Sequence, residues 1–167
     1  MSTQTHQSIE DRLQHLEDRA AVIDVVVRFA AAMDAADWGA YAQLFTDTVH
    51  VDFSDAGLPV SDFARDDFVA FASRNLDTWD ARQHLSTNHR VTLRTSTAAG
   101  APAVDETVDT AVVSSYLYAQ HHRADQPIFL MHGSYEHHLV RTAVGWLITG
   151  LVQHVTWMDA APSELGA

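Results

Sequence analysis

Residues 128–158 read IFLMHGSYEHHLVRTAVGWLITGLVQHVTWM. Two segments rich in Val, Leu, Thr and aromatic residues flank Ala143–Gly145, which has the composition of a tight turn. The pattern predicts two strands, 128–142 and 145–158, joined as a hairpin. Upstream, 107–122 and 83–95 have the same character. They are separated by turn sequences at Ala98–Ala103, with Gly100 and Pro102, and at Ala124–Pro127. Before about Arg82 the period changes. From Ser8 to Asp34, the residues Leu13, Leu16, Ala20, Ile23, Val27, Ala30 and Asp34 recur in steps of three and four, the spacing of one helix face. Ser8 followed by Asp11 reads as its start. A short helix is expected over Trp38–Phe45 after an Asp37 cap. Val49, Val51 and Phe53 alternate as a strand, and Asp66 can cap a third helix bearing Phe68, Phe71 and Leu76. Helices first and hairpin-linked strands afterwards predict an α+β fold with an antiparallel sheet. A single domain over 1–167 is expected, with 1–7 and 159–167 as tails.

Composition narrows the chemistry. The 167 residues contain 10 Lys+Arg against 22 Asp+Glu, a formal net charge of -12. Such a surface is unsuited to nucleic acid or anionic membranes, so neither is an expected partner. No apolar run is long enough to cross a bilayer. Met1–Gln7 is polar and lacks the apolar core of a secretory signal, so a cytoplasmic location is expected. There is no Cys, and every basic residue is Arg. Thiolate and Schiff-base chemistry are therefore excluded. What remains is 11 His, the side chain that moves protons near neutral pH.

Asp34 continues the apolar stripe of the first helix. It reads either as a carboxylate held at the edge of the core, in need of a partner, or as a helix C-terminal residue bonded to nearby backbone. His84 opens one strand, and His121–His122 close another. Adjacent strand residues face opposite ways, so only one of each His pair can enter a given cavity. By the same rule His132, Ser134, Glu136 and His138 share one face, and Tyr135, His137 and Leu139 the other. A metal is the competing use of these histidines, but no His-x-His, His-x-x-x-His or His-Glu-x-x-His spacing occurs.

The run Ala20–Phe29, then Met33-Asp34-Ala35-Ala36-Asp37-Trp38, Leu44-Phe45-Thr46-Asp47 and Val49-His50-Val51-Asp52-Phe53, resembles the opening of the SnoaL-like branch of the NTF2-like superfamily. Tyr135-Glu136, Leu139–Thr142, Gly145-Trp146 and Val155-Thr156-Trp157 resemble its final hairpin. The resemblance covers about residues 8–158. It implies a cone in which a curved antiparallel sheet wraps a pocket closed by the N-terminal helices.

Among enzymes of that branch the pattern is most similar to scytalone dehydratases. That resemblance implies a catalytic Asp34, a dyad partner His84 in Arg82-Gln83-His84, a second His121 before His122-Arg123, and a pocket Ser134. The chain departs from it at Met33 and Phe53, where the dehydratases carry tyrosines that bind the substrate carbonyl, and at Glu136, where they carry Asn. The same substrate is therefore not expected.

The expected activity is a cofactor-independent dehydration, isomerisation or cyclisation of a small hydrophobic, aromatic or polyketide-like substrate. Asp34 orients His84, His84 is the base, and His121 handles the second proton. Ser134 and Glu136 orient the substrate, with Phe53, Leu151 and Trp157 as apolar walls. No metal is expected. The alternatives are a non-catalytic small subunit or ligand-binding protein, and a metal enzyme using His84, His121 and Glu136. Large apolar residues on both faces of 107–122 and 145–158 predict a homo-dimer or homo-trimer.

Overall fold

The first helix starts where its capping residues place it. In the computed structural model, which describes residues 8–94 and 109–159, the Ser8 hydroxyl accepts from the Asp11 N–H at 3.0 Å. The Asp11 carboxylate accepts in return from the Ser8 N–H at 3.2 Å. Helix α1 runs from Ile9 to Ala35 and ends on Ala36, which adopts a left-handed conformation with φ 53°. Asp37 caps α2 (Trp38–Ala42) through Ala40 N–H at 2.9 Å. Strand β1 (Phe45–Asp52) leads through a 3-10 turn to β2 (Ser61–Ala64) and α3 (Arg65–Leu76). Asp66, expected as the α3 cap, lies in its first turn, and Ala64 holds the cap position without a side-chain bond.

Four long strands follow: β3 (Ala81–Arg94), β4 (Thr110–His122), β5 (Phe129–Thr142) and β6 (Gly145–Met158). The expected turn at Ala98–Ala103 lies outside the described residues. The turn at 143–145 is tight, and Gly145 takes φ 116°, a value that favours glycine. The sheet order is β2-β1-β6-β5-β4-β3. The hairpin ladders β3–β4–β5–β6 and the β1–β2 pair are antiparallel. The β1–β6 pair is parallel, so the α+β fold is as expected but its curved open sheet is mixed.

The helices cover one face of this sheet, and the core forms between them. Phe29 is its hub, with ring centroids 5.4 Å from Tyr41, 5.7 Å from Tyr135 and 5.0 Å from His137. Tilted and edge-on ring pairs of this kind each add about 0.5–1.5 kcal/mol beyond their buried area. The buried side of α1 is not the stripe that periodicity picked out. Asp18, Val22, Val25, Val26, Phe29 and Met33 are buried, whereas Leu13, Leu16 and Val27 are 55%, 61% and 47% exposed. The run Val22–Val27 is apolar on several sides, so more than one stripe satisfies the 3.6-residue period. Packing against the sheet decides between them.

β6 carries two bulges. Its register with β5 shifts between His138 and Leu139 and again between His132 and Gly133. Each shift adds one residue on β6, Thr149 and then Thr156, and swaps which side chains face the core. Trp146 and Ile148 point inward before the first bulge, and Leu151 and Gln153 after it. At the second bulge a Cβ on Gly133 would lie 1.8 Å from the His154 carbonyl oxygen, so no side chain fits there.

An ion cluster joins α1 to the far end of the sheet. Arg141 pairs with the 2%-exposed Asp18 and with Asp109, the latter at 2.8 Å, and its guanidinium lies 4.6 Å over the Trp146 ring. Removing one partner strands a buried charge, which costs about 3–5 kcal/mol, whereas an apolar replacement of both is close to neutral. Arg141→Leu is therefore expected to lower the unfolding free energy measured in urea by about 3 kcal/mol, and Asp18→Leu combined with it to recover most of that loss. A double variant as unstable as the single one would assign the loss to packing alone.

Candidate active site

Strand β3 is the last strand at its side of the sheet, so alternate backbone N–H groups along it have no strand partner. At the C-terminal end of α1, Asp34 fills that vacancy at His84. Both carboxylate oxygens lie 3.0 Å from the His84 backbone N, and one lies 2.7 Å from His84 Nδ1. The carboxylate thus fixes the strand and the imidazole together. It was expected at the end of a buried stripe, and it is in fact partly exposed at the stripe's margin, its side chain 27% accessible. The open alternative, a helix-end carboxylate bonded to backbone, is also realised, because the same group does both.

Arg82 holds this junction in place. Its Nε donates to the Met33 carbonyl at 2.6 Å and its Nη1 to the Leu76 carbonyl at 3.0 Å, gathering the C-terminal ends of α1 and α3. A guanidinium is well suited to both ends, where carbonyls lack intrahelical partners.

With Nδ1–H directed to Asp34, neutral His84 presents a lone pair at Nε2. His121 Nε2 lies 3.4 Å from that atom. The His121 ring packs against Trp79, at 5.2 Å, and Phe129, at 5.7 Å, and those two rings lie 5.8 Å from each other, so the three form one cluster. Burial in this aromatic cluster, and then the neighbouring His84, lower the His121 pKa to about 4.

These groups stand at the wall of a cavity of about 490 Å³ between the helices and the concave sheet face. His84 and His121 line it, with Phe29, Phe53, Phe68 and Met131 among its apolar walls. Tyr135 and Gln153 supply a polar spot, Gln153 Nε2 donating to the Tyr135 hydroxyl at 2.9 Å. Burial raises the Tyr135 pKa, so its phenol stays protonated. This pair was not expected from the sequence. The signal was there in part, because Tyr135 lies on the apolar side of its strand, but Gln153 faces inward only because of the β6 bulges.

Four expected substrate contacts lie elsewhere. The strand alternation of β5 was divided correctly, but the inner side belongs to Tyr135, His137 and Leu139. Ser134 faces outward into a shallow groove with Tyr116, His132 and Trp157. Glu136 is also outward, its Oε1 2.7 Å from His138 Nε2. It therefore does not join His84 and His121 in a three-ligand set. Among the described residues no group of three or more His, Cys, Asp or Glu could hold a metal ion. Leu151 points inward but is wholly buried among core residues and is not part of the cavity wall. Trp157, which has the same sequence parity as Leu151, emerges on the outer face past the second bulge and stacks on His132 at 4.0 Å. Of the expected walls, Phe53 alone lines the cavity.

The family model of the SnoaL-like domain matches residues 14–152, and the chain belongs to that family, within the NTF2-like superfamily. Among solved structures it is similar to the Kfla4162 protein from Kribbella flavida, at 24% identity and a TM-score of 0.73, covering 87% of this chain and 95% of that one. It is also similar to a candidate scytalone dehydratase from Novosphingobium aromaticivorans, at 18% identity and a TM-score of 0.69, covering 87% and 88%. A hexachlorocyclohexane dehydrochlorinase matches at 16% identity and a TM-score of 0.66, covering 92% and 99%. At these identities the likeness is one of fold. No curated protein sequence matches the chain. No helix among the described residues is long and apolar enough to cross a membrane.

The burial of His121 and His137 carries a consequence for acid stability. Burial lowers the His137 pKa to about 3, and both rings are neutral in the folded chain at pH 7. Once unfolded they bind protons near the ordinary value of 6.5. Below that value the unfolded chain holds more protons than the folded one, so stability falls as pH drops from about 6.5 towards 4. The thermal unfolding midpoint should decrease across this window, and more shallowly in His121→Phe. A slope unchanged in that variant would remove His121 as a source of the effect.

Proposed function

We propose that this chain is a cofactor-independent acid–base enzyme, a dehydratase, isomerase or cyclase, acting on a small hydrophobic, aromatic or polyketide-like molecule. The observation that carries this reading is the 2.7 Å contact between Asp34 and His84 at the wall of an apolar cavity. Asp34 fixes the tautomer that leaves His84 Nε2 basic, and His84 takes a proton from an acidic C–H of the substrate. His121, within reach of the same nitrogen, hydrogen-bonds a substrate oxygen or returns a proton to the departing group. The dehydratase and dehydrochlorinase among the structural relatives are eliminating enzymes by name, and an Asp–His pair is suited to that class of step. A small subunit or ligand carrier would use the cavity and leave the dyad idle, so the decisive test is chemical turnover by the chain alone.

5-Nitrobenzisoxazole is a suitable probe, because a base that removes its ring C–H breaks the N–O bond and releases a coloured cyanophenolate. General-base catalysis contributes about 100- to 10,000-fold. Wild type should exceed His84→Ala and Asp34→Asn by at least about 100-fold. The double variant should fall little below the worse single one, because the two act as a unit. Chelators should leave the rate unchanged. Wild-type turnover equal to that of His84→Ala would favour the carrier, and activity lost on chelation and restored by one divalent ion would favour a metal enzyme.

A homo-dimer or homo-trimer forms part of the same proposal. It is supported by the exposed stripe Ile9, Leu13, Leu16 and Val27 along α1, and by Tyr116 and Trp157 on the outer sheet face, 62% and 47% exposed. Light scattering should give an integral multiple of 18.4 kDa at micromolar concentration. A monomer throughout that range would overturn it.

A further inference from the structure

Tyr135 on β5 and Gln153 on β6 are buried, 8% and 7% exposed, and both line the cavity. The orientation of the Gln153 amide follows from its two neighbours. Its Nε2 lies 3.3 Å from Met131 Sδ, a thioether that only accepts, and 2.9 Å from the Tyr135 hydroxyl oxygen. The amide N–H groups therefore donate to both, and the phenol oxygen is the acceptor in this contact. The phenol's own proton has no acceptor among the described residues. A buried donor left open is costly, and this one is held at a cavity wall. Register sets its place. His84 on β3, Ala119 on β4 and Met131 on β5 stand opposite one another across the sheet, and all three line the cavity. Gln153 joins the phenol to the Met131 end of this row. His84 stands at the other end, two strand spacings or about 10 Å across the sheet. The small side chain of Ala119 lies between them.

We infer that Tyr135 is a further catalytic residue of this cavity: its O–H holds the carbonyl oxygen of a conjugated ketone whose ring lies over Ala119 with an acidic C–H at His84, and Gln153 is its positioning residue; this rests on the enzyme reading above. A carbonyl accepts and brings no proton of its own, so it suits a donor whose oxygen is already engaged by Gln153. Conjugation supplies the link along the row. When His84 Nε2 takes the C–H proton, the electron pair of that bond moves through the conjugated system onto the carbonyl oxygen and forms an enolate. Burial keeps the phenol protonated, so Tyr135 hydrogen-bonds the developing charge without giving up its proton. The enolate then collapses in one of two ways. It takes the proton back at another carbon, or it expels a hydroxyl group that leaves as water with the proton His84 took, relayed by His121 at 3.4 Å. With the substrate oxygen held at Tyr135, His121 is left to the second proton. Phe29 and Phe53, with ring centroids 5.7 and 6.3 Å from that of Tyr135, keep the surroundings of this hydrogen bond apolar, which strengthens it.

Isotope-edited infrared spectroscopy of the whole chain with carbonyl-13C-labelled 1-tetralone, a conjugated bicyclic ketone, tests this. In wild type the bound C=O band should lie at lower frequency than in cyclohexane, and in Tyr135→Phe it should return towards the cyclohexane position. Calorimetry should show Tyr135→Phe weakening 1-tetralone about tenfold, the order expected when a buried acceptor loses its donor. The hydrocarbon tetralin should bind that variant within about twofold of wild type, which also shows that it is folded. Gln153→Met, which removes the amide, should broaden the band, because the phenol is no longer fixed. A wild-type band at the cyclohexane position would overturn the inference, and turnover of the benzisoxazole probe by the same sample would leave the acid–base enzyme standing. A low band that survives Tyr135→Phe would overturn the assignment, and its loss in Tyr41→Phe would give the donor's place to the other phenol of the lining. An unchanged band width in Gln153→Met would remove Gln153 as the positioning residue. Binding of neither ligand by wild type would exclude this class of ketone, and the absence of benzisoxazole turnover as well would sink the enzyme reading with it.

Discussion

Asp34 is the hinge between the two layers of this molecule. An edge strand leaves backbone donors open, and a helix end leaves carbonyls open. Here the two defects are placed side by side. The carboxylate accepts from the His84 backbone, and Arg82 donates to the helix-end carbonyls. The chain thereby closes an open sheet edge against α1 without adding a strand. It also brings a carboxylate to 2.7 Å from an imidazole at the cavity wall. The contact that ties helix to sheet is the one that holds this imidazole at the cavity, so a change that moves α1 moves the His84 ring.

The second organising constraint is the pair of bulges in β6. A regular strand crossing this curved sheet would send Leu151, Gln153 and Trp157 to one face. The added residues at Thr149 and Thr156 instead turn Gln153 inward to Tyr135 and Trp157 outward to His132. Extra residues increase local twist, and a sheet wrapped around a cavity needs that twist. Gly133 fits the same local geometry, because the opposing His154 carbonyl occupies the space of a side chain. The shape of the cavity and the identity of its polar groups thus have a common origin in backbone register.

That origin explains which parts of the site the sequence revealed. Local chemistry was legible: Ser8 with Asp11 and Asp37 are caps because their side chains reach backbone N–H groups three residues away. Asp34, His84 and His121 were legible through spacing that matches a family pattern. Ser134 and Glu136 were misplaced because alternation along β5 separates two faces without saying which one is inside. The resemblance to the dehydratases suggested the cavity for them, whereas the inner face went to Tyr135 and a fully buried His137. Trp157 was misplaced for a different reason, since bulge positions depend on the partner strand and leave no mark in a single strand's period; Leu151 does point inward but is sealed among core residues away from the cavity. The α1 stripe was misread because an apolar run such as Val22–Val27 satisfies several helix faces at once.

The two imidazoles at the site are chemically alike and stand in opposite surroundings. One ring nitrogen of His84 faces a carboxylate, while His121 packs against two aromatic rings. Such asymmetry separates roles that identical surroundings could not. A proton is disfavoured on His121 by burial and then by the neighbouring His84, whose Nε2 lies 3.4 Å from its own. Whatever enters the cavity alters the surroundings of His121 by displacing water and by adding its own charge. A ligand therefore acts on this site on arrival, because it changes the cost of placing a proton on His121.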